Sequence, residues 1–310
     1  MSNLLKRTIT GVIFVGIIIL GIYFSSISFF FLFLLITFFG LEEFYGLCNT
    51  ARIHTQKVAG IAIGLLFYIF NFLYAIDYIN IRFFLIFIPL IGLIFISELY
   101  GYNKRPFQSI AFTFLGLLYI AFPLSLISHI VFSPGHIFSD LSPVQVFSYL
   151  NDSKENSVDI LNKIIYRFYL YKPTHEIIYS PGILLGIFIL LWTFDTGAYL
   201  VGISIGKNRL FERISPKKSW EGTIGGAIIS FGMAYLLSIF YKDLTVINWL
   251  VIAAIVIIMG TYGDLVESMF KRSINIKDSG KTLPGHGGIL DRFDSLLLSI
   301  PIIFTYLKMF

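Results

Sequence analysis

Hydrophobic residues run through this chain in long stretches that only short polar segments interrupt. Nine stretches are 17 to 25 residues long, which is the length a helix needs to cross about 30 Å of hydrocarbon. The alternating ten-residue pattern of a membrane β-barrel does not recur. The pattern therefore predicts an all-α, polytopic membrane protein. Its predicted spans, about nine in number, are residues 8–24, 27–46, 58–76, 82–99, 108–132, 181–203, 223–241, 247–266 and 293–309.

Composition supports this fold class. The 310 residues are 56% hydrophobic and only 13% charged, which excludes a soluble protein of ordinary surface polarity. The single cysteine, Cys48, rules out an intramolecular disulfide and leaves the redox compartment open. Residues 1–26 resemble a signal peptide, but no small-residue cleavage site follows them. We interpret this segment as a retained first span.

Loop charge predicts the orientation in the membrane. If the amino terminus is cytoplasmic, sixteen of the 23 Lys and Arg residues fall in inside segments, as the positive-inside rule requires. Three parts are then predicted: an N-terminal scaffold of about five helices (1–132), an extracytoplasmic insertion (133–180) and a C-terminal catalytic domain of about four helices (181–310). Within the insertion, residues 158–171 fit either a helix lying on the membrane or an ordinary packed loop helix.

The first of three polar clusters interrupts a span. It reads WTFDTGAYLVG (192–202) and places Asp195 within an apolar helix. A carboxylate in hydrocarbon costs about 2.5 to 3.5 kcal/mol on insertion scales, so Asp195 should face a partner or a wet cavity. The alternative is a helix-packing Asp bonded to a neighbouring hydroxyl.

The second cluster is a basic loop that leads into a helix, GKNRLFERISPKKSWEGTIGG (206–226). Ser215 followed by Pro216 predicts a helix start, which would place Lys217 and Lys218 in the first turn. Cations there oppose the helix dipole, so the placement indicates a bound anion nearby. Alternatively, these lysines hold the loop inside and contact anionic lipid head groups.

The third and densest cluster reads GDLVESMFKRSINIKDSGKTLPGHGGILDRFD (263–294). Spacings of three and four predict one wet helix face that carries Asp264, Glu267, Ser268 and Lys271. After the loop, Asp291, Asp294 and Ser295 again share a face at the start of the last span.

The residue types of this cluster indicate phosphate chemistry. Gly287 and Gly288 let backbone amides approach a phosphate closely. Asp264 and Asp291 are candidates to converge on a hard cation, since Mg²⁺ prefers oxygen ligands and bridges carboxylates to substrate phosphates. His286 is interpreted as a substrate contact rather than a loop histidine bonded to backbone. The five His and one Cys do not provide a soft-metal cage.

These residues resemble a known signature. Segment 268–294, with DTGAY (195–199) and ISPKKSWEG (214–222), is similar to the phosphatidate cytidylyltransferase (CDP-diacylglycerol synthase) family. The matching positions of the longest segment are Ser268, Lys271, Arg272, Lys277, Asp278, His286, Gly287, Gly288, Asp291, Arg292 and Asp294. Two departures are present. Ile203 stands where members often have Arg, and the insertion 133–180 has no counterpart in shorter members.

The resemblance implies a reaction between CTP and phosphatidic acid that gives CDP-diacylglycerol and pyrophosphate. It implies Mg²⁺ held by Asp264 and Asp291, with K⁺ as a candidate second ion. Catalytic roles are expected for Lys271, Arg272, Asp264, Asp291 and Arg292. Substrate-binding roles are expected for Lys217, Lys218, Ser219, Ser268, Lys277, His286, Gly287, Gly288 and Asp195, with Asp278 and Asp294 as supporting polar residues.

The same resemblance predicts the setting of the enzyme. We expect an integral protein of a bacterial inner membrane with its active site facing the cytoplasm, with membrane lipid and no nucleic acid as partners. Homodimers are typical of the family, but no stretch identifies an interface. One alternative is another CTP-using lipid enzyme, such as a prenol kinase or a synthase for a different lipid phosphate. The others are a secondary transporter that uses Asp195 and Asp264 as an ion path and a structural or lipid-binding scaffold.

Overall fold

The computed structural model describes residues 3–101, 103–134, 177–274, 276, 279–280 and 287–309. Within them, nearly all residues are helical. The N-terminal elements are α1 (Asn3–Tyr23), α2 (Ser26–Thr50), α3 (Lys57–Ala75), a 3-10 helix (Ile81–Ile86) leading into α4 (Phe87–Leu99), α5 (Pro106–Gly116), a π-helical turn (Leu117–Ala121), α6 (Phe122–Val131) and strand β1 (Phe132–Pro134). The C-terminal elements are β2 (Ile177–Tyr179), α7 (Gly182–Ile205), β3 (Arg209–Phe211), β4 (Ser215–Ser219), α8 (Trp220–Phe240), α9 (Val246–Ser273) and α10 (Leu290–Met309).

Seven of the predicted spans correspond to described helices that are long and apolar enough to cross a membrane. The first predicted span corresponds to the shorter apolar stretch Ile9–Tyr23 of α1. The last corresponds to α10, whose first turns carry Asp291, Arg292 and Asp294. The prediction of an all-α, polytopic integral membrane protein is therefore confirmed. The number of nine spans and the cytoplasmic amino terminus stay predictions.

Short polar residues fix where the helices begin. Ser25 caps α2 by accepting from the amide of Ile27, and Ser28 donates back toward the same turn. Thr245 caps α9 by accepting from the Asn248 amide at 3.2 Å. Such caps satisfy amides that have no partner inside the helix. Each capping residue therefore defines where its helix begins, which the apolar sequence alone does not.

Buried apolar side chains of α2, α3, α6, α7, α9 and α10 form one continuous core. Trp249, at the start of α9, is fully buried and packs against Gly186 of α7. Many large apolar side chains instead point outward, for example Val12, Ile88 and Ile228, as expected for a surface in contact with lipid. This packing brings the C-terminal ends of α7 and α9 beside the N-terminal ends of α8 and α10.

The insertion is closed at its base by a two-stranded antiparallel sheet. Strand β1 pairs with β2 in a register that places Phe132 opposite Tyr179 and Pro134 opposite Ile177. The predicted alternatives for residues 158–171 lie outside the described residues. The sheet therefore returns the chain to the bundle close to the point at which it left.

Candidate active site

A polar cavity of about 730 Å³ lies between α7, β4, α9 and α10. Four carboxylates line it, those of Asp195, Asp264, Asp291 and Asp294, together with the basic side chains of Arg209, Lys217 and Lys218. The cavity thus brings residues from all three polar clusters of the sequence to one place. Asp195 lies on the cavity wall and is exposed.

The lysines precede α8 instead of entering its first turn, so the predicted helix start at Ser215 was wrong. Residues Ser215–Ser219 form β4 and pair with β3, with Phe211 opposite Ser215. The helix begins at Trp220 because Ser219, not Ser215, accepts from the amide of Gly222 at 3.2 Å. Lys217 and Lys218 are consequently held by a strand at the cavity, and they do not oppose the dipole from inside the helix.

Glu221 is the acidic residue in the first turn of α8. Its carboxylate accepts hydrogen bonds from the amides of Lys207 and Asn208 at 3.1 and 3.2 Å. An acid at a helix start is favourable because it faces the positive end of the dipole. Glu221 therefore ties the α7–β3 turn to the beginning of α8 and positions the basic hairpin.

Asp264 and Lys218 form the first ion pair of the cavity, with Nζ 2.5 Å from Oδ2. The Ser268 hydroxyl, one turn further along α9, donates to Asp264 Oδ1 at 3.1 Å. The predicted placement of Asp264 and Ser268 on one helix face is thus confirmed, whereas Glu267 and Lys271, predicted on the same wet face, are buried. Strand β4 supplies the cation that pairs with Asp264. Both members of the pair retain partial exposure, so they are accessible from the cavity.

Lys271 forms a second, more deeply buried ion network. Its ammonium lies 2.6 Å from Glu267 Oε2 and 2.6 Å from Asp291 Oδ1. Glu267 is only 3% exposed and Lys271 only 9%. Two carboxylates already engage this ammonium, and it does not line the cavity. Its assigned phosphate-binding role stays a prediction, whereas the observed contact is the neutralisation of Asp291.

The glycine pair holds Asp291 from the other side. The amides of Gly288 and Ser279 donate to Asp291 Oδ2 at 2.8 and 3.0 Å. Gly287 has φ +84°, and a Cβ there would collide with Asp291 Oδ2, so glycine is required for close approach to the acid. In this structure the pair therefore positions a carboxylate, and its contact with phosphate stays a prediction.

Sequence reasoning missed Glu43 of α2, which lies in the part predicted to be scaffold. Glu43 is buried, and its Oε2 accepts from the Leu290 amide at 3.0 Å and from Ser279 Oγ at 3.3 Å. It thereby caps the start of α10 and anchors the loop before it. The available signal was the pair Glu42–Glu43 inside an apolar span, which the cost of buried charge marks as unusual.

Arg209 was also not predicted, although it lies in the second cluster. Ile203, which replaces the Arg that family members often carry, lines the same cavity as Arg209. The chain therefore presents a guanidinium to the cavity from strand β3 rather than from α7.

Other predicted residues lie at the edge of the site or beyond it. Arg272 is exposed and donates from Nη1 to the carbonyl of Ile276 at 3.3 Å, and Arg292 is exposed on α10. Neither lines the cavity. Lys277, Asp278 and His286 lie outside the described residues, so their roles stay predictions.

Close packing of α9 on α10 positions the acids, and it depends on Gly263. A Cβ at this position would lie 2.5 Å from the backbone oxygen of Asp294. We expect Gly263→Ala to lower the free energy of unfolding by about 1 to 3 kcal/mol and to reduce activity, because the helices must separate. Thermal unfolding in detergent measures the first effect.

The matched control is Gly232→Ala, since no atom lies within 4 Å of a Cβ at Gly232 of α8. This change should raise the free energy of unfolding by up to about 1 kcal/mol through helix propensity. Equal thermal midpoints for the two variants would contradict the close-packing argument.

Comparison with known proteins identifies relatives of this chain. Phosphatidate cytidylyltransferase of Haemophilus influenzae is 39% identical over 151 residues, which are 47% of this chain and 52% of that protein. The proteins of the same name from Staphylococcus haemolyticus and Staphylococcus aureus strain COL are 45% and 44% identical over 131 residues, in each case 42% of this chain and 47% of the relative. The chain thus spans about half the length of the curated relatives it matches.

A wider match comes from the sequence profile of one family. The profile described as "Cytidylyltransferase family" covers residues 5–310, and so includes α2 with Glu43 as well as every element around the cavity. An acid-and-lysine cavity inside a helical membrane bundle and a profile match along almost the whole chain lead to one conclusion: this chain belongs to the cytidylyltransferase family.

Proposed function

We propose that this protein transfers the cytidylyl group of CTP to phosphatidic acid, giving CDP-diacylglycerol and pyrophosphate. An oxygen of the lipid phosphate attacks the α-phosphorus of CTP, and the bond from that phosphorus to the bridging oxygen of pyrophosphate breaks. The observation that carries the proposal is the cavity that Lys217, Lys218 and Arg209 line together with four carboxylates. This charge pattern suits phosphates accompanied by a hard cation.

The difficulty of this reaction is electrostatic. The attacking lipid phosphate is already an anion near neutral pH, so no strong general base is required. The two substrates repel each other, however, and catalysis must hold them in line and neutralise their charge. The Lys217 and Lys218 side chains are presented to the cavity by a hydrogen-bonded strand, which supports a fixed cationic surface for phosphate.

We propose that the cavity binds a magnesium ion whose coordination is completed by substrate. Among the described residues, no group of three or more His, Cys, Asp or Glu is arranged to hold a metal by itself. Mg²⁺ commonly binds through one or two carboxylates together with waters and substrate phosphates. Asp264 and Asp291 would hold the ion, which when bound neutralises phosphate charge. A K⁺ ion beside it remains part of the proposal.

The walls of the cavity support a lipid as one substrate. Phe194, Ala198 and Ile203 of α7 line it beside Asp195, and its other charged lining residues belong to β3, β4, α9 and α10. Ile203 is also 67% exposed on the outside of α7. An apolar side that faces the bilayer suits acyl chains, whereas the charged side suits the head group and the nucleotide.

We further propose that the site faces the cytoplasm from a bacterial inner membrane. The cavity lies at the end of the bundle where the predicted inside loops carry their excess of Lys and Arg. CTP would then reach it from the cytoplasm and phosphatidic acid from the inner leaflet. A homodimer is expected from the family resemblance.

The test is direct. Membranes that contain the protein, incubated with Mg²⁺, CTP and phosphatidic acid, should release pyrophosphate and form a CDP-lipid in equal amounts. Membranes without the protein supply the control, and ATP in place of CTP should give neither product. Formation of a phosphorylated prenol with release of CDP would instead identify a kinase and reject the proposal.

A further inference from the structure

A second cavity, of about 1000 Å³, lies away from the candidate active site, between the α2–α3 turn and the α4–α5 turn. Its basic lining residues are Arg52, His54, Lys104 and Arg105, and Glu98 is the carboxylate among its lining residues. We propose that this cavity, the basic cavity, binds the phosphate-bearing head group of an anionic membrane lipid. Neither the family match nor the reaction proposed above assigns it a role.

The charge balance of the basic cavity favours an anion. The carboxylate of Glu98 is buried and already satisfied, since it accepts from Gln56 Nε2 at 2.7 Å, Asn103 Nδ2 at 2.9 Å and Ser109 Oγ at 3.0 Å. The four ion pairs among the described residues involve none of Arg52, Lys104 and Arg105. Their charges are thus directed at a space that a phosphate would fill.

Two helix starts add to this charge. Gln56 and Arg105 are the N-cap residues of α3 and α5, both line the basic cavity, and neither makes a side-chain capping bond. The first amides of an uncapped helix, with the positive end of its dipole, attract anions. The basic cavity therefore combines cationic side chains with two sources of oriented backbone charge.

The rim of the basic cavity identifies a lipid rather than a free phosphate. Large apolar residues adjoin its lining segments in the chain and are strongly exposed: Val58 at 84%, Leu99 at 81%, Tyr100 at 83% and Phe107 at 80%. They lie at the ends of apolar spans, where side chains meet the acyl region of the bilayer. A ligand with a phosphate at one end and acyl chains at the other matches both surfaces.

The basic cavity also reaches the helix that carries Asp264. Ser273 and Ile274, at the C-terminal end of α9, line it, and the amide of Ile274 donates to the carbonyl of Lys271 at 3.3 Å. An occupied head-group site would therefore touch the same turn that positions Lys271 and Asp291.

Native mass spectrometry of the full chain in detergent, titrated with phosphatidylglycerol, tests the proposal. We expect Arg52→Gln/Arg105→Gln to weaken one lipid-binding event by about 30-fold, since each basic residue near a membrane surface contributes about a fivefold factor. The charge-matched control is Arg82→Gln/Lys242→Gln, which changes exposed residues at the other end of the bundle and should leave binding unchanged.

Three further arms make the result decisive. Lys217→Gln/Lys218→Gln should spare the event that Arg52→Gln/Arg105→Gln removes, which separates the basic cavity from the candidate active site. Phosphatidylcholine should not compete, and glycerol 3-phosphate should compete only weakly. Equal binding by the Arg52/Arg105 and Arg82/Lys242 variants would overturn the site, and strong competition by glycerol 3-phosphate would overturn a lipid as its ligand. Thermal midpoints confirm that each variant is folded.

Discussion

Replacing Asp264 with Asn should lower kcat by at least about 100-fold while leaving the protein folded in the membrane. Asp264 is paired with Lys218 at 2.5 Å and lies on the cavity wall, and removing one group that stabilises developing charge typically reduces kcat by 100- to 1000-fold. The amide retains the shape of the carboxylate and can still accept from Ser268, so folding should be little affected. Pyrophosphate release at saturating CTP and phosphatidic acid measures the change.

Asp243→Asn is the matched control for this experiment. Asp243 lies between α8 and α9 at the opposite end of the bundle and accepts from Ser180 Oγ at 3.1 Å, so its loss should leave turnover nearly normal. Near-normal turnover of the Asp264 variant with Mg²⁺ would reject its assignment as a metal ligand. Asp291 is a less clean test, because it also holds Lys271 and two backbone amides.

Replacing Lys271 with Met should lower the free energy of unfolding by about 3 to 5 kcal/mol. Removing one partner of a buried ion pair leaves uncompensated charge in a poorly solvated place, and Glu267 and Asp291 both lose their cation here. The double variant Lys271→Met/Glu267→Gln should recover part of this loss, because it removes one of the stranded charges. Thermal unfolding of both variants in the same detergent measures the difference.

An exposed ion pair provides the comparison. Lys57 and Glu42 lie 2.5 Å apart with side chains 38% and 44% exposed, so Lys57→Met should change the free energy of unfolding by less than about 1 kcal/mol. If Lys271→Met kept the wild-type thermal midpoint but lost turnover, the ammonium would act on substrate phosphate instead of neutralising the buried acids.

The length of the apolar stretches and the helical spacing of the polar residues were sufficient to predict the helical fold. The apolar stretches coincide with described helices, and spacings of three and four correctly placed Asp264 and Ser268 on one face of α9. The helix start before α8 was misplaced because Ser215–Pro216 and Ser219 both resemble starts. Pairing of β4 with β3 decided between them, and such pairing depends on a contact with another segment that local sequence does not encode.

The chemistry of the cavity could be anticipated only in part. Clusters of polar residues in a strongly hydrophobic chain indicated Asp195, Lys218 and Asp291 as site residues, because a charged side chain near hydrocarbon is costly and usually functional. Glu43 was missed because its partners, Ser279 and Leu290, are more than two hundred positions away in the chain. Only tertiary packing brings an acid of α2 to the start of α10.

The small sheet formed by β1 and β2 makes the packing of the helical bundle independent of the length of the segment between these two strands. Phe132 and Tyr179 are paired across it, so the ends of the intervening segment are fixed side by side, and closing a longer loop adds entropy cost only logarithmically. Insertions, deletions or replacements in that segment during evolution would therefore leave the residues around the cavity in place.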